Sequence, residues 1–196
     1  MTKVAVLGGT GYLASIIKSY NTKKKNKFIF FSRKKNSKFY LNNILEKKNT
    51  KILSDLKIII HLAGPNQLQL KKNVSLIKEK NYITEKICDL CLKNNLKLIY
   101  ISSMQVYSNY GKVDIYNNSK IDLKKSYSKS HIESEKIINQ KFINKKNMFT
   151  IIRLGNVFGF KKYKNIREVN NNLINGFCIS ALKKKKILIK DGSIQR

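Results

Sequence analysis

Residues Met1 to Ile16 read MTKVAVLGGTGYLASI, an apolar run followed at once by a glycine cluster and then by a helical pattern. Lys3 to Leu7 has the composition of a buried strand, with β-branched residues in a short apolar run. Gly8, Gly9, Thr10, Gly11, Tyr12, Leu13 and Ala14 follow without a spacer, and Leu13, Ile16 and Ile17 then fall at helical spacing. The glycines therefore occupy a strand-to-helix turn. Such a turn receives a dinucleotide pyrophosphate, because glycine lets the backbone approach the phosphates and the helix N-terminus favours negative charge. The pattern is G-x-x-G-x-x-A, and Ala14, standing where a third glycine often stands, preserves close packing of helix on strand. A lone glycine turn is only a tight turn. Its place directly after the first strand of an alternating β/α chain argues for nucleotide binding.

Working outward, the 196 residues suffice for one full α/β domain and the start of another. With 42% hydrophobic residues the chain is globular rather than disordered. Its 41 Lys and Arg against 11 Asp and Glu give a net charge of +30. The lysines, however, are spread along the whole length among asparagines and isoleucines, as a codon bias would place them, with no basic cluster or arginine-rich arm. The charge predicts weak, salt-sensitive association with polyanions and no specific nucleic-acid partner.

The N-terminus begins inside a strand, without the charged and apolar regions of a signal peptide. The longest apolar stretch, Leu56 to Gly64, is too short to span a bilayer and is interrupted by Lys57 and His61. A cytoplasmic protein with no membrane insertion is expected. Three cysteines make no disulfide framework. Cys88 and Cys91 form a CxxC, but with Ile87 and Leu92 they make one apolar helical face, so packing rather than redox chemistry or a metal site is expected.

Lys27 to Phe31 (KFIFF) reads as a second strand ending in Ser32-Arg33. In a dinucleotide-binding α/β domain this end meets the adenosine ribose, where an acidic residue would bind a free 2′-hydroxyl. Ser32 holds that place and Arg33 follows, so NADP is favoured over NAD. Lys38 to Leu41 reads as a brief strand and Ile44 to Leu56 as part of a short helix. Asp55 to Gly64 is a buried strand ending in Leu62, Ala63 and Gly64, whose small side chains would admit a cofactor. His61 reads as a structural histidine. A helix over Leu76 to Asn94, a strand over Lys97 to Ile101, a helix from about Ser128 to Lys145 and a strand over Phe149 to Leu154 come next. Residues 160 to 183 read as loop then helix, and Ile187 to Ile189 as a strand. Strands and helices alternating in this way imply α/β architecture with a doubly wound parallel sheet.

Six segments in order, GGTGYLA, IIHLAG, YISSMQVY, YSKSHIESE, RLGNVFG and KILIKDGSIQR, resemble the extended short-chain dehydrogenases/reductases, the nucleotide-sugar epimerase/dehydratase group. The resemblance implies a Rossmann-like domain carrying NADP or NAD over residues 1–159. It also implies the beginning of a small substrate-binding domain over 160–196, incomplete because the chain stops where that domain would continue. By resemblance, a tyrosine exchanges a proton with a sugar hydroxyl during hydride transfer, and a serine hydrogen-bonds the same oxygen. A lysine four residues after the tyrosine holds the nicotinamide ribose and lowers the tyrosine pKa, which is ordinarily near ~10.

Ser103 takes the serine position. Two tyrosines compete for the other: Tyr116 in a literal YxxSK, and Tyr127 in Tyr127-Ser128-Lys129-Ser130-His131. Tyr127 lies 24 residues after Ser103, with Arg153 22 residues beyond His131, spacings typical of the family, whereas Tyr116 lies only 13 after Ser103. Tyr127 is therefore assigned, which places His131 where the resemblance expects lysine. A neutral imidazole helps the tyrosine less, so a slower or acid-shifted enzyme is expected, and His131→Lys should raise turnover at pH 7 to 8. Asn156 and Arg196 match substrate positions, the latter on the diphosphate of a nucleotide-sugar substrate. A homodimer is common in the family. The alternative is a non-catalytic dinucleotide-binding module whose bound cofactor controls a partner.

Overall fold

The computed structural model describes residues 2–20, 26–33, 55–108, 114–158 and 173–187. Strand β1 (Thr2–Leu7) opens the sheet, and Val4 to Leu7 are all buried. A continuous apolar run, rather than an alternating one, is what a strand covered on both faces requires. Helix α1 (Tyr12–Tyr20) follows the glycine turn, then β2 (Asn26–Phe31) and β3 (Leu56–His61). Helices α2 (Gln67–Lys72) and α3 (Leu76–Lys93) lead to β4 (Lys97–Ser103). Helix α4 (Ser126–Lys141) leads to β5 (Phe149–Leu154), and α5 (Leu173–Lys184) is the last described element.

The five strands pair in parallel in the order β2-β1-β3-β4-β5. From β1 the chain goes outward to β2 on one side and returns to β3 on the other. The strand order therefore reverses between β1 and β3, and a crevice opens beyond their carboxyl ends, the usual ligand site of a doubly wound sheet. The core lies between the sheet and helices α3 and α4, where Leu7, Phe31, Ile59, Leu98 and Tyr100 meet Ile87, Cys88, Cys91, Ile138 and Phe142.

Local chemistry sets the ends of these elements. Helix α3 buries Ile77, Lys80, Thr84, Ile87, Cys88 and Cys91, a stripe at the three- and four-residue spacing of one helical face. It closes with Asn95 at φ 51 and the Leu96 amide donating to the Cys91 carbonyl at 2.9 Å, a Schellman stop sealed by buried Leu96. Helix α2, which the sequence reading passed over, is nucleated by a capping box in which Asn66 and Gln69 each satisfy the other's backbone N–H.

Helix α4 starts at Ser126 and stops at Lys141, earlier at both ends than the sequence pattern suggests, which brings Tyr127 into its first turn. Strand β4 continues past Ile101 to Ser103 because β5 extends the pairing that far. The expected strand at 38–41 and the expected helix from Ile44 as far as residue 54 lie outside the described residues, as do 159–172 and 188–196, while Leu56, its expected last residue, instead opens β3 because it pairs with β1. Ile187 is described and carries no strand. Of the expected second domain only residues 173–187 are described, and α5 is the element they form.

Candidate active site

Position by position, the glycine turn is built as the sequence requires. Gly8 has φ +93, and a β-carbon on it would stand 3.0 Å from the Ala63 nitrogen and the Leu62 carbonyl carbon. Only glycine lets the β1 end pass this close to the β3 end. The Gly8 and Gly9 amides both donate to the Phe31 carbonyl, at 3.1 and 2.7 Å, which ties the turn to β2. Lys18 of α1 donates to the Gly9 carbonyl at 2.6 Å. Ala14 is fully buried under the turn.

A cleft of about 270 Å³ opens beside this turn. Tyr12, Leu13, Leu62, Ala63 and Gly64 form one wall, while Ser103, Tyr127, His131 and Asn156 line the other side. Most of the predicted site residues thus face one cavity. Among the described residues nothing comes within 4 Å of where a Gly155 β-carbon would stand, beside the cleft mouth at the β5 end.

Ser103 and Tyr127 are brought together by a short network. The Ser103 hydroxyl oxygen accepts from the Gln105 amide at 3.2 Å, and Ser128 donates to the Gln105 carbonyl at 2.6 Å. These bonds hold the first turn of α4 against the end of β4, so that Ser103 and Tyr127 line one cleft. Burial raises the Tyr127 pKa, and the nearby Ser103 hydroxyl opposes that rise by favouring the phenolate. Tyr116, in contrast, is 68% exposed on a separate turn and does not line the cleft.

His131 is buried, with Nδ1 3.0 Å from the Tyr100 hydroxyl and its ring edge-on to Tyr127 at 4.7 Å between centroids. Burial, then the nearby Lys80 and His61, holds its pKa well below the ordinary value, so the imidazole is neutral at physiological pH. His61 is fully buried. Thr84 donates to the Lys80 carbonyl at 2.8 Å, so the Thr84 oxygen is left to accept from His61 Nε2 at 3.2 Å. His61 Nδ1 has no hydrogen-bond partner among the described residues, and burial pulls its pKa down to about 3. It is structural, as the sequence suggests.

Other positions depart from expectation or were passed over. Arg33 donates to Glu79 of α3 at 2.9 Å, both about half exposed. A carboxylate thus stands beside the residue expected to grip a 2′-phosphate. Ser32 is buried next to it, and Arg196 lies outside the described residues. Glu135, buried one turn beyond His131, accepts from Ser102 at 2.6 Å and from Arg153 at 3.1 and 2.6 Å. Arg153 also donates to the Tyr107 hydroxyl at 2.7 Å, so one carboxylate registers α4 against β4 and β5. Cys88 and Cys91 are fully buried, and burial pushes the Cys88 thiol up to about 12, which keeps it protonated. Lys80, passed over in the sequence as one lysine among many, is 3% exposed and lines the cleft. Its signal was its place on the apolar stripe of α3.

Fold and cleft together define a Rossmann-like α/β protein with a ligand crevice at the switch in strand order. The sequence profile of the NAD dependent epimerase/dehydratase family matches residues 4–196, and the chain belongs to that family. Solved structures share the fold. The UDP-N-acetylglucosamine 4-epimerase of Bacillus cereus is 22% identical, with a TM-score of 0.68 over 84% of this chain and 57% of that one. The dTDP-glucose 4,6-dehydratase of Bacillus anthracis in complex with NAD is 20% identical, with a TM-score of 0.74 over 98% and 65%. The dTDP-4-dehydrorhamnose reductase of Bacillus anthracis in complex with NADP is 20% identical, with a TM-score of 0.73 over 96% and 62%. The chain thus spans less than two thirds of the length of each. No curated protein matches it at a significant level. Among the described residues no helix is long and apolar enough to cross a membrane.

Proposed function

We propose that the chain is the cofactor-binding part of a nucleotide-sugar epimerase, dehydratase or reductase, with Tyr127 as its general acid and base. The observation that carries this reading is that Ser103, at the carboxyl end of β4, and Tyr127, in the first turn of α4, line the same cleft as Tyr12, Leu13, Ala63 and Gly64. The residues fit a dinucleotide: Gly8 lets the turn pack directly on the β3 end, and the N-terminus of α1 faces the cleft through Tyr12 and Leu13, opposite Ser103 and Tyr127. A bound nicotinamide would accept or donate the hydride. Tyr127 would take the proton of a sugar hydroxyl as that carbon is oxidised and return it on reduction, while Ser103 holds the same oxygen in line. His131 contributes a neutral hydrogen-bonding group toward the ribose, and Asn156 at the cleft mouth contacts the substrate.

NADP is proposed as the preferred cofactor, with the Arg33–Glu79 pair limiting the preference. An exposed pair of this kind is worth about 0–1 kcal/mol, so a 2′-phosphate can draw Arg33 away from Glu79. A homodimer belongs to the same proposal and is checked by light scattering.

The first test is a fluorescence titration of the folded chain with NADPH and then NADH, followed by turnover assays on UDP- and dTDP-hexoses. Micromolar binding with NADPH preferred is expected, and Tyr127→Phe should lower turnover by about 10²–10⁴ while leaving cofactor affinity unchanged. Turnover untouched by Tyr127→Phe would remove Tyr127 from the proton path. Cofactor binding without turnover by the unmodified chain would favour the non-catalytic module instead.

A further inference from the structure

Lys18 lies in the last turn of α1, yet its ammonium is at the glycine turn. It donates to the Gly9 carbonyl at 2.6 Å and stands over the Phe30 ring of β2, 4.6 Å from the centroid. The proton path and the cofactor contacts above use neither interaction. We propose that Lys18 is a positioning residue for the dinucleotide: by holding the Gly9 carbonyl behind the turn, it keeps that oxygen away from the pyrophosphate. The inference rests on the reading of the glycine turn as the pyrophosphate site.

The carbonyls of the turn decide how it treats an anion. A phosphate cradle needs backbone N–H groups toward the ligand and carbonyl oxygens turned away, since a carbonyl oxygen repels a phosphate. Each carbonyl turned away still requires a donor. For Gly8 and Gly11 the backbone provides one: the Gly8 carbonyl accepts from the Gly11 amide at 2.9 Å and the Gly11 carbonyl from the Ser15 amide at 3.1 Å. Gly9 is held by a side chain instead, and a charged donor makes a stronger bond than a neutral one. The hold matters because glycine accepts more than one backbone orientation at little cost. In a trans peptide the C=O and N–H point in opposite directions, so a flip of the Gly9–Thr10 peptide would swing the oxygen to the other side of the turn. Lys18 resists that flip.

The surroundings fix the ammonium in place. A β-carbon on Gly9 would stand 2.8 Å from the Phe30 Cβ, and the Gly9 amide donates to the Phe31 carbonyl at 2.7 Å. Phe30, Gly9 and Lys18 therefore cluster on the β2 side of the turn, whereas the cleft is walled by Leu62, Ala63 and Gly64 beyond β3. Lys18 does not line that cleft, and it is exposed apart from these contacts, so replacing it leaves the core intact. A lysine in the last turn of a helix ordinarily serves the negative pole there. This one reaches back toward the positive pole, where a cation is unfavourable by itself and becomes favourable once an anion occupies the turn.

The test titrates ADP, which carries the two phosphates, and adenosine, which carries none, into the chain by NMR, with NADPH by fluorescence alongside. ADP should bind Lys18→Met about tenfold more weakly than the unmodified chain, and Lys18→Arg, which keeps the charge and the ring contact, should recover most of the loss. Adenosine should bind all three alike. Without ligand, Lys18→Met should move the Gly9 carbonyl and Thr10 amide resonances while those of β4 stay in place. Unchanged ADP affinity or unmoved turn resonances in a folded Lys18→Met overturns the proposal. So does an equal loss for adenosine, which would make Lys18 a support of the fold and no more. If Lys18→Met does not fold, Lys18→Gln, a shorter and uncharged donor, is judged by the same criterion. An unmodified chain that binds neither ADP nor NADPH removes the dinucleotide reading itself and the proposal with it, whereas ADP binding that Lys18 does not affect removes the proposal alone.

Discussion

Two buried histidines and a buried lysine give single residues unusual weight in this chain. His61 has a pKa of about 3 in the fold against 6.5 when unfolded. Between those values the unfolded chain binds the proton and the folded chain does not, so stability falls as pH drops from 6.5 toward 3. His131 adds a loss of the same sign. Urea unfolding from pH 7 down to 4 should show that loss, and His61→Gln should flatten it. An equal slope in the variant would mean that His61 is not held neutral. Lys80 has the same sign of linkage at higher pH: with its pKa lowered from 10.5 to about 7, the fold gains stability as pH rises across that window.

Among the elements, α4 carries the most of the site, and its register decides whether Tyr127 reaches Ser103. Its buried face is largely polar: Ser128, Ser130, His131, Ser134 and Glu135 accompany Ile132 and Ile138. The small serines let it lie close to α3 and β4, while Glu135 fixes its rotation through Ser102 and Arg153. Removing one partner of a buried ion pair strands the other charge. Arg153→Met is therefore expected to cost about 3 kcal/mol in urea unfolding and to loosen the Tyr127–Ser103 contact. A loss under about 1 kcal/mol would mean that the serine packing alone sets the register.

The whole molecule carries a charge of +30, and the ion pairs its few carboxylates make are mostly exposed. Self-repulsion of that size opposes compaction and is screened by salt. The melting temperature should rise as sodium chloride is added from low to physiological strength, and any retention on nucleic acid should be lost over the same range. A melting temperature independent of salt would show that the spread of the lysines already disperses the repulsion.

The sequence by itself determined the strand-to-helix turn and the parallel α/β order, and its spacing put Tyr127 rather than Tyr116 on the cleft that Ser103 lines. Those features are written in local chemistry and chain spacing: Gly8 must take a positive φ, β1 must be apolar on both faces, and Tyr127 sits at a fixed distance from the β4 end. The literal YxxSK at Tyr116 shows the limit of such reading, since a motif carries no record of whether its tyrosine is exposed. Only the tertiary structure decided where particular charges stand and what they meet. Arg33 meets Glu79 from 46 residues away, and Lys80 meets Ser130 from 50. In a chain with 41 basic residues no composition or periodicity distinguishes one lysine from the rest. What singles out Lys80 is the packing of α3 against α4, which takes its ammonium out of water and places it on the wall of the cleft.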